Sequence, residues 1–98
     1  MSCKFPTDEE LYDICADFKA LGEINRLKIT MLLLNGEKCV SDICEIIGLS
    51  QSATSHQLRI LKDCKILKSR KEGNVIYYSI KDEHVKTIIE MSIEHLVC

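Results

Sequence analysis

No stretch of this 98-residue chain is long and apolar enough to cross a membrane as a helix. The opening MSCKFPTDEE is polar where a secretory signal would carry an apolar run. One proline and four glycines leave no linker or low-complexity segment, and no repeat recurs. The chain also lacks a nucleophile–base constellation, so it reads as no enzyme. A formal net charge of −2 is not the global basic excess of many nucleic-acid binders. These absences lead us to expect a single cytoplasmic domain over residues 1–98, with no membrane partner and a core small enough to benefit from a dimer interface.

Cysteine, by contrast, is plentiful. Six residues stand at positions 3, 15, 39, 44, 64 and 98. Their irregular spacing does not read as a secreted disulfide framework, and in a reducing compartment they are thiols or metal ligands. Charge is unevenly spread as well. Asp8, Glu9, Glu10, Asp13, Asp17 and Glu23 crowd the first third, while Arg59, Lys62, Lys65, Lys68, Arg70 and Lys71 form one later basic strip. Such a strip on an acidic protein is an electrostatic footprint for a polyanion.

Thr7 with Glu10 three residues on forms a capping box that starts a helix over 8–21, with Leu11, Ile14, Cys15, Phe18 and Leu21 as its apolar stripe. A second helix, 24–34, carries too many apolar residues for one stripe and is expected at the centre of the core; Asn35-Gly36 stops it. A short helix over 40–47 ends at Gly48, and Ser50 caps another over 51–64. This is a helix-turn-helix pattern. Thr54, Leu58 and Leu61 share the inward face of its second helix, leaving Gln51, Ser52, Ser55, His56 and Arg59 outward. Short hydrogen-bonding side chains near the start of such a helix suit base edges and phosphates in a major groove. Two strands follow, 66–71 and 75–80, with alternating apolar residues. A charged hairpin placed after a helix-turn-helix is a wing, and Lys68, Arg70 and Lys71 on it are candidate phosphate contacts.

The last stretch, KDEHVKTIIEMSIEHLVC over 81–98, has helical periodicity. Asp82, His84, His95 and Cys98 all bear metal-binding groups. His84 and His95 lie within about 20° of complete turns, hence on one face, but are separated by roughly 16 Å along the axis. One ion held about 2 Å from a ring nitrogen cannot be gripped by both. The two halves meet only if a second copy of the helix runs antiparallel, which implies a symmetric dimer with two bridged sites. Taken singly, Asp82 reads equally as a helix cap and either His as a solvated residue.

The order helix, helix, helix-turn-helix, wing, helix resembles the winged-helix metal-responsive repressors of the ArsR/SmtB family. The likeness covers nearly the whole chain. Its most telling parts are EKCVSD at 37–42, SQSATSHQLRIL at 50–61, RKEGNVIYYSI at 70–80 and the closing DEH…EHLVC. It implies a mainly α fold with a small β-hairpin, a winged helix-turn-helix of order ααα-α-ββ-α that forms a homodimer through its first and last helices. It implies double-stranded, partly palindromic operator DNA as partner, released when metal binds. Asp82, His84 and His95 match the family's closing-helix metal site, while Cys98 stands where His or Glu is usual. That change keeps four ligands but softens the set, pointing to Zn(II) with Cd(II) as a further candidate. The resemblance also implies a second thiol site at the third helix. Cys39, Asp42 and Cys44 keep part of it; the middle cysteine of the family pattern is replaced by Ser41, and Cys3 or Cys15 is the available third thiol. A thiol-based sensor responding to As(III) or oxidation through Cys39 and Cys44 is therefore the alternative. Cys15 and Cys64 read as structural.

Overall fold

The computed structural model describes residues 4–97, so the expectations that fall on Cys3 and Cys98 lie outside the described residues. Helix α1, Asp8–Leu21, begins where the capping box places it. The Thr7 hydroxyl accepts the Glu10 N–H at 3.2 Å, and the Glu10 carboxylate accepts the Thr7 N–H at 2.8 Å. That second bond holds the Glu10 carboxyl below its ordinary value. The expected apolar stripe of α1 meets the core of its own chain only at its end, where Leu21 packs against it. Only Ala20 is buried, whereas Ile14, Cys15 and Phe18 are exposed.

Helix α2 spans Ile24–Leu32 and tightens into a 3-10 turn at Leu33–Asn35, a change of winding within the expected α-helix. The 3-10 turn lets the chain leave at Gly36, whose φ is 129°. Ile29, Thr30 and Leu33 are buried, but Ile24 is 65% exposed, so only the later turns of α2 are central.

The helix-turn-helix consists of α3, Val40–Ile47, and α4, Gln51–Asp63. Gly48 closes α3 with φ 81°, a left-handed conformation that a Cβ would strain. Ser50 then starts α4, its hydroxyl accepting the Ala53 N–H at 3.1 Å. Ile43, Leu58 and Leu61 are fully buried where the two helices meet; removing each such side chain from water contributes about 1.5–3 kcal/mol. At the other end of α4, Lys65 adopts φ 60°. Its N–H donates to the Lys62 carbonyl and that of Ile66 to the Leu61 carbonyl, both at 2.9 Å, which is a Schellman closure with lysine in the glycine position.

The strands form a three-stranded antiparallel sheet in the order β1-β3-β2. Strands β2, Leu67–Glu72, and β3, Val75–Ile80, make the wing, in register from Leu67 opposite Ile80 to Glu72 opposite Val75. Gly73, φ 62°, takes the first of two loop positions, where a tight hairpin needs a positive φ. Strand β1, Lys38–Cys39, has no counterpart in the sequence reading, since two residues cannot display a period of two. It pairs Lys38 with Tyr78 and Cys39 with Tyr77. Helix α5 runs Glu83–Val97 and buries only Ile89. Ala20, Ile29, Leu33, Ile43, Leu58, Leu61, Ile66 and Leu67 make the core on which these elements pack. Among the described residues, no helix is long and apolar enough to cross a membrane.

Candidate nucleic-acid interface and metal-ligand helix

Burying Thr54, Leu58 and Leu61 turns the opposite side of α4 outward. Gln51, Ser52, Ser55, His56 and Arg59 are all exposed on that side. Lys68 and Lys71 lie on the wing strand β2, and Lys62 and Lys65 at and just after the end of α4; all four are exposed. A helix face with short polar groups at its start and cations alongside can hydrogen-bond base edges while neutralising phosphates.

Arg70, expected among the phosphate contacts, is already engaged. Its Nε donates to Glu37 Oε2 at 2.9 Å, its second terminal nitrogen also binds Glu37, and the other donates to Glu72 Oε2 at 2.7 Å. The guanidinium carbon lies 4.5 Å from the centroid of the Tyr77 ring. Hydrogen bonds from Arg70 hold the Glu37 carboxyl below its ordinary value, and the two carboxylates make the guanidinium still harder to deprotonate.

Two further polar residues position α4 and carry no motif in the sequence. Arg26 of α2 donates from Nε to the Ala20 carbonyl at 2.7 Å, at the end of α1, and from a terminal nitrogen to Gln57 Oε1 of α4 at 3.0 Å. The partners are 31 residues apart in sequence, so no local spacing could have revealed the link.

Of the candidate metal ligands, Asp82 and His84 sit at the start of the last helix and His95 near its end. Asp82 is both cap and candidate ligand: Oδ1 accepts the Val85 N–H at 3.1 Å, and its other oxygen has no hydrogen bond among the described residues. His84, 94% exposed at the side chain, has Nδ1 3.8 Å from Asp82 Oδ1. Both line a groove of about 540 Å³ between α1, the end of α4 and α5, together with Asp13, Asp17, Asp63, Cys64 and the cationic Lys65. His95 is exposed near the far end of α5. Among the described residues, no three His, Cys, Asp or Glu side chains of one chain are close enough to hold a metal ion. A carboxylate and two imidazoles suit a borderline cation, and the helix holds Asp82 and His84 at one end and His95 near the other.

The two candidate thiols at the third helix are both free. Cys39 occupies the N-cap of α3, half-buried, with Asp42 exposed in the first turn. Cys44 is half-buried with Sγ 4.0 Å from the Ser50 carbonyl. Of the two cysteines read as structural, Cys64 is half-buried and Cys15 is exposed in the single chain.

The fold and the exposed α4 face define a winged helix-turn-helix protein of the DNA-binding type. Residues 24–69 match the bacterial regulatory proteins of the arsR family. A Staphylococcus aureus relative, a cadmium resistance transcriptional regulatory protein CadC homolog, is 48% identical over 84 residues, covering 85% of this chain and 69% of that protein. A transcriptional repressor SmtB homolog from Synechocystis is 39% identical over 79 residues, 81% of this chain but 60% of that protein. The solution structure of a homodimeric winged helix-turn-helix DNA-binding domain from Mycobacterium bovis, described as a possible ArsR-family regulator, superposes with a TM-score of 0.83 at 30% identity, covering 96% of this chain and 94% of that one. The chain belongs to the ArsR family, whose members are transcriptional regulators and not enzymes.

Proposed function

We propose that this protein is a metal-responsive transcriptional repressor that binds double-stranded operator DNA as a homodimer and lets it go when Zn(II), or the softer Cd(II), binds at the last helix. One observation carries the sensing part: Asp82 and His84 stand at one end of α5 and His95 near the other, on a helix that buries only Ile89. A second antiparallel α5 would bring Asp82 and His84 of one protomer to His95 and Cys98 of its partner. Bound there, zinc would supply a four-coordinate cross-link between the two helices. The names of the staphylococcal and cyanobacterial relatives, a cadmium resistance regulator and a repressor, support this reading.

DNA contact falls to Gln51, Ser52, Ser55, His56 and Arg59 for readout, with Lys68 and Lys71 adding salt-dependent affinity. The dimer has two arrangements that differ in how well both α4 helices seat together, and metal affinity differs between them. By linkage, DNA then weakens metal binding by the same factor that metal weakens DNA binding, typically ~1–3 kcal/mol.

Two measurements test this. Anaerobically purified dimer should hold two tightly bound Zn(II), and the His84→Ala/His95→Ala variant none. Stoichiometric Zn(II) should lower affinity for an operator duplex by about 5- to 150-fold in the wild type and leave the variant unchanged. Equal DNA affinity with and without metal sinks the sensing claim and spares DNA binding.

A further inference from the structure

The wing meets the helix-turn-helix through a short main-chain attachment. Strand β1 offers two residues to β3, pairing Lys38 with Tyr78 and Cys39 with Tyr77. Immediately before β1, Glu37 reaches across the sheet to Arg70 on β2, 33 residues away. Arg70 stacks on Tyr77 of the intervening strand and also holds Glu72 beside the wing loop. The cluster thus ties together all three strands: β1 through its neighbour Glu37, β3 through Tyr77, and β2 through Arg70 and Glu72.

We propose that Arg70 and Glu37 form a brace that fixes the angle of the wing relative to α4, and that Arg70 is a positioning residue for DNA binding and not a phosphate contact. Three observations support this. The guanidinium uses its rigid fork on Glu37, a two-point pairing that fixes orientation as well as distance. Two carboxylates against one guanidinium leave the cluster with one net negative charge, which repels a phosphate. The side chains are 50% and 39% exposed, so the pair lies at the surface, where an isolated ion pair adds little to global stability. Its effect is local, on the orientation of a two-stranded ribbon that is marginal alone. Lys68 and Lys71, whose ammonium groups are in no ion pair among the described residues, remain the wing's phosphate contacts.

This inference rests on the proposed DNA binding, and the two are separated by measuring free and bound protein. The probe is a duplex enriched by the wild-type dimer from a random-sequence pool, titrated over a range of salt with wild type, Glu37→Gln, Arg70→Gln and the double variant. The sign of the Glu37→Gln effect decides. A brace predicts about tenfold weaker binding although a negative charge has been removed, and a double variant no weaker than Arg70→Gln. Wing amides from Gly73 to Tyr77 should also exchange hydrogen faster in the DNA-free single variants. If Glu37→Gln instead tightens binding and steepens the salt dependence by about one phosphate's worth, Arg70 is a phosphate contact and the brace is refuted. Unchanged amide exchange in both single variants refutes it too. Should wild type enrich no duplex, the DNA reading falls, and amide exchange still decides the brace.

Discussion

Thr54 is an uncomfortable residue in a well-placed position. It is fully buried on the inner face of α4, and its hydroxyl has no hydrogen-bond partner among the described residues. A buried hydroxyl without a partner retains the cost of losing water. Thr54→Val keeps the shape and removes that group, so it should raise unfolding free energy by about 1 kcal/mol, read as a higher urea midpoint at constant slope. A lower midpoint would mean that the hydroxyl is satisfied in solution. The inward face of α4 was legible in the sequence because Thr54, Leu58 and Leu61 recur at helical spacing. What the hydroxyl meets there was not, because its surroundings come from other elements. Arg70 teaches the same lesson with charge: its place on the wing followed from the hairpin pattern, but its partner Glu37 lies 33 residues upstream.

Among the elements, α4 is held in position by more than its apolar face. Arg26 joins the end of α1 to Gln57 of α4 and lies half-buried, so its hydrogen bonds work in a partly dry setting. Gln57→Ala removes the acceptor on α4 and leaves α1 and α2 tied together. It should cost little thermal stability yet weaken binding to the enriched duplex about fivefold, a coupling of roughly 1 kcal/mol. Undiminished DNA affinity would show that apolar packing alone orients α4. Element boundaries were readable wherever the signal was local. The Thr7–Glu10 capping box and the Ser50 cap each reach only three residues along the chain. The 3-10 ending of α2 and the two-residue β1 were not readable. The first depends on how the chain leaves the core at Gly36, and the second exists only because β3 runs past it.

At the scale of the molecule, Asp13 and Asp17 of α1 share the groove beside His84 with Asp63 and Lys65 from the end of α4. Tyr12, Ile14 and Phe18 on α1 and Ile88, Met91 and Leu96 on α5 are all exposed in the single chain, Leu96 by 85%. Large apolar side chains exposed on both helices are candidates for a protein interface. If these helices make the homodimer, Phe18→Asp should weaken self-association about 30-fold or more, the loss of a hot spot worth ~2 kcal/mol. Sedimentation across a dilution series measures it, and an unaltered dimer would move the interface elsewhere.

The sequence by itself determined the order of the five helices and the two wing strands, the polar face of α4 and the placing of Asp82 and His84 at one end of the last helix and His95 near the other. Each follows from helical or strand periodicity, or from caps a few residues long, and such short-range physics is written along the chain. Tertiary structure alone decided that the middle of the α1 stripe, Ile14, Cys15 and Phe18, is left exposed, that Arg70 is bound by carboxylates and that Arg26 reaches α4. Those outcomes depend on which surfaces the fold brings together. Periodicity places a side chain on a face, and only packing supplies the neighbour that the face will meet.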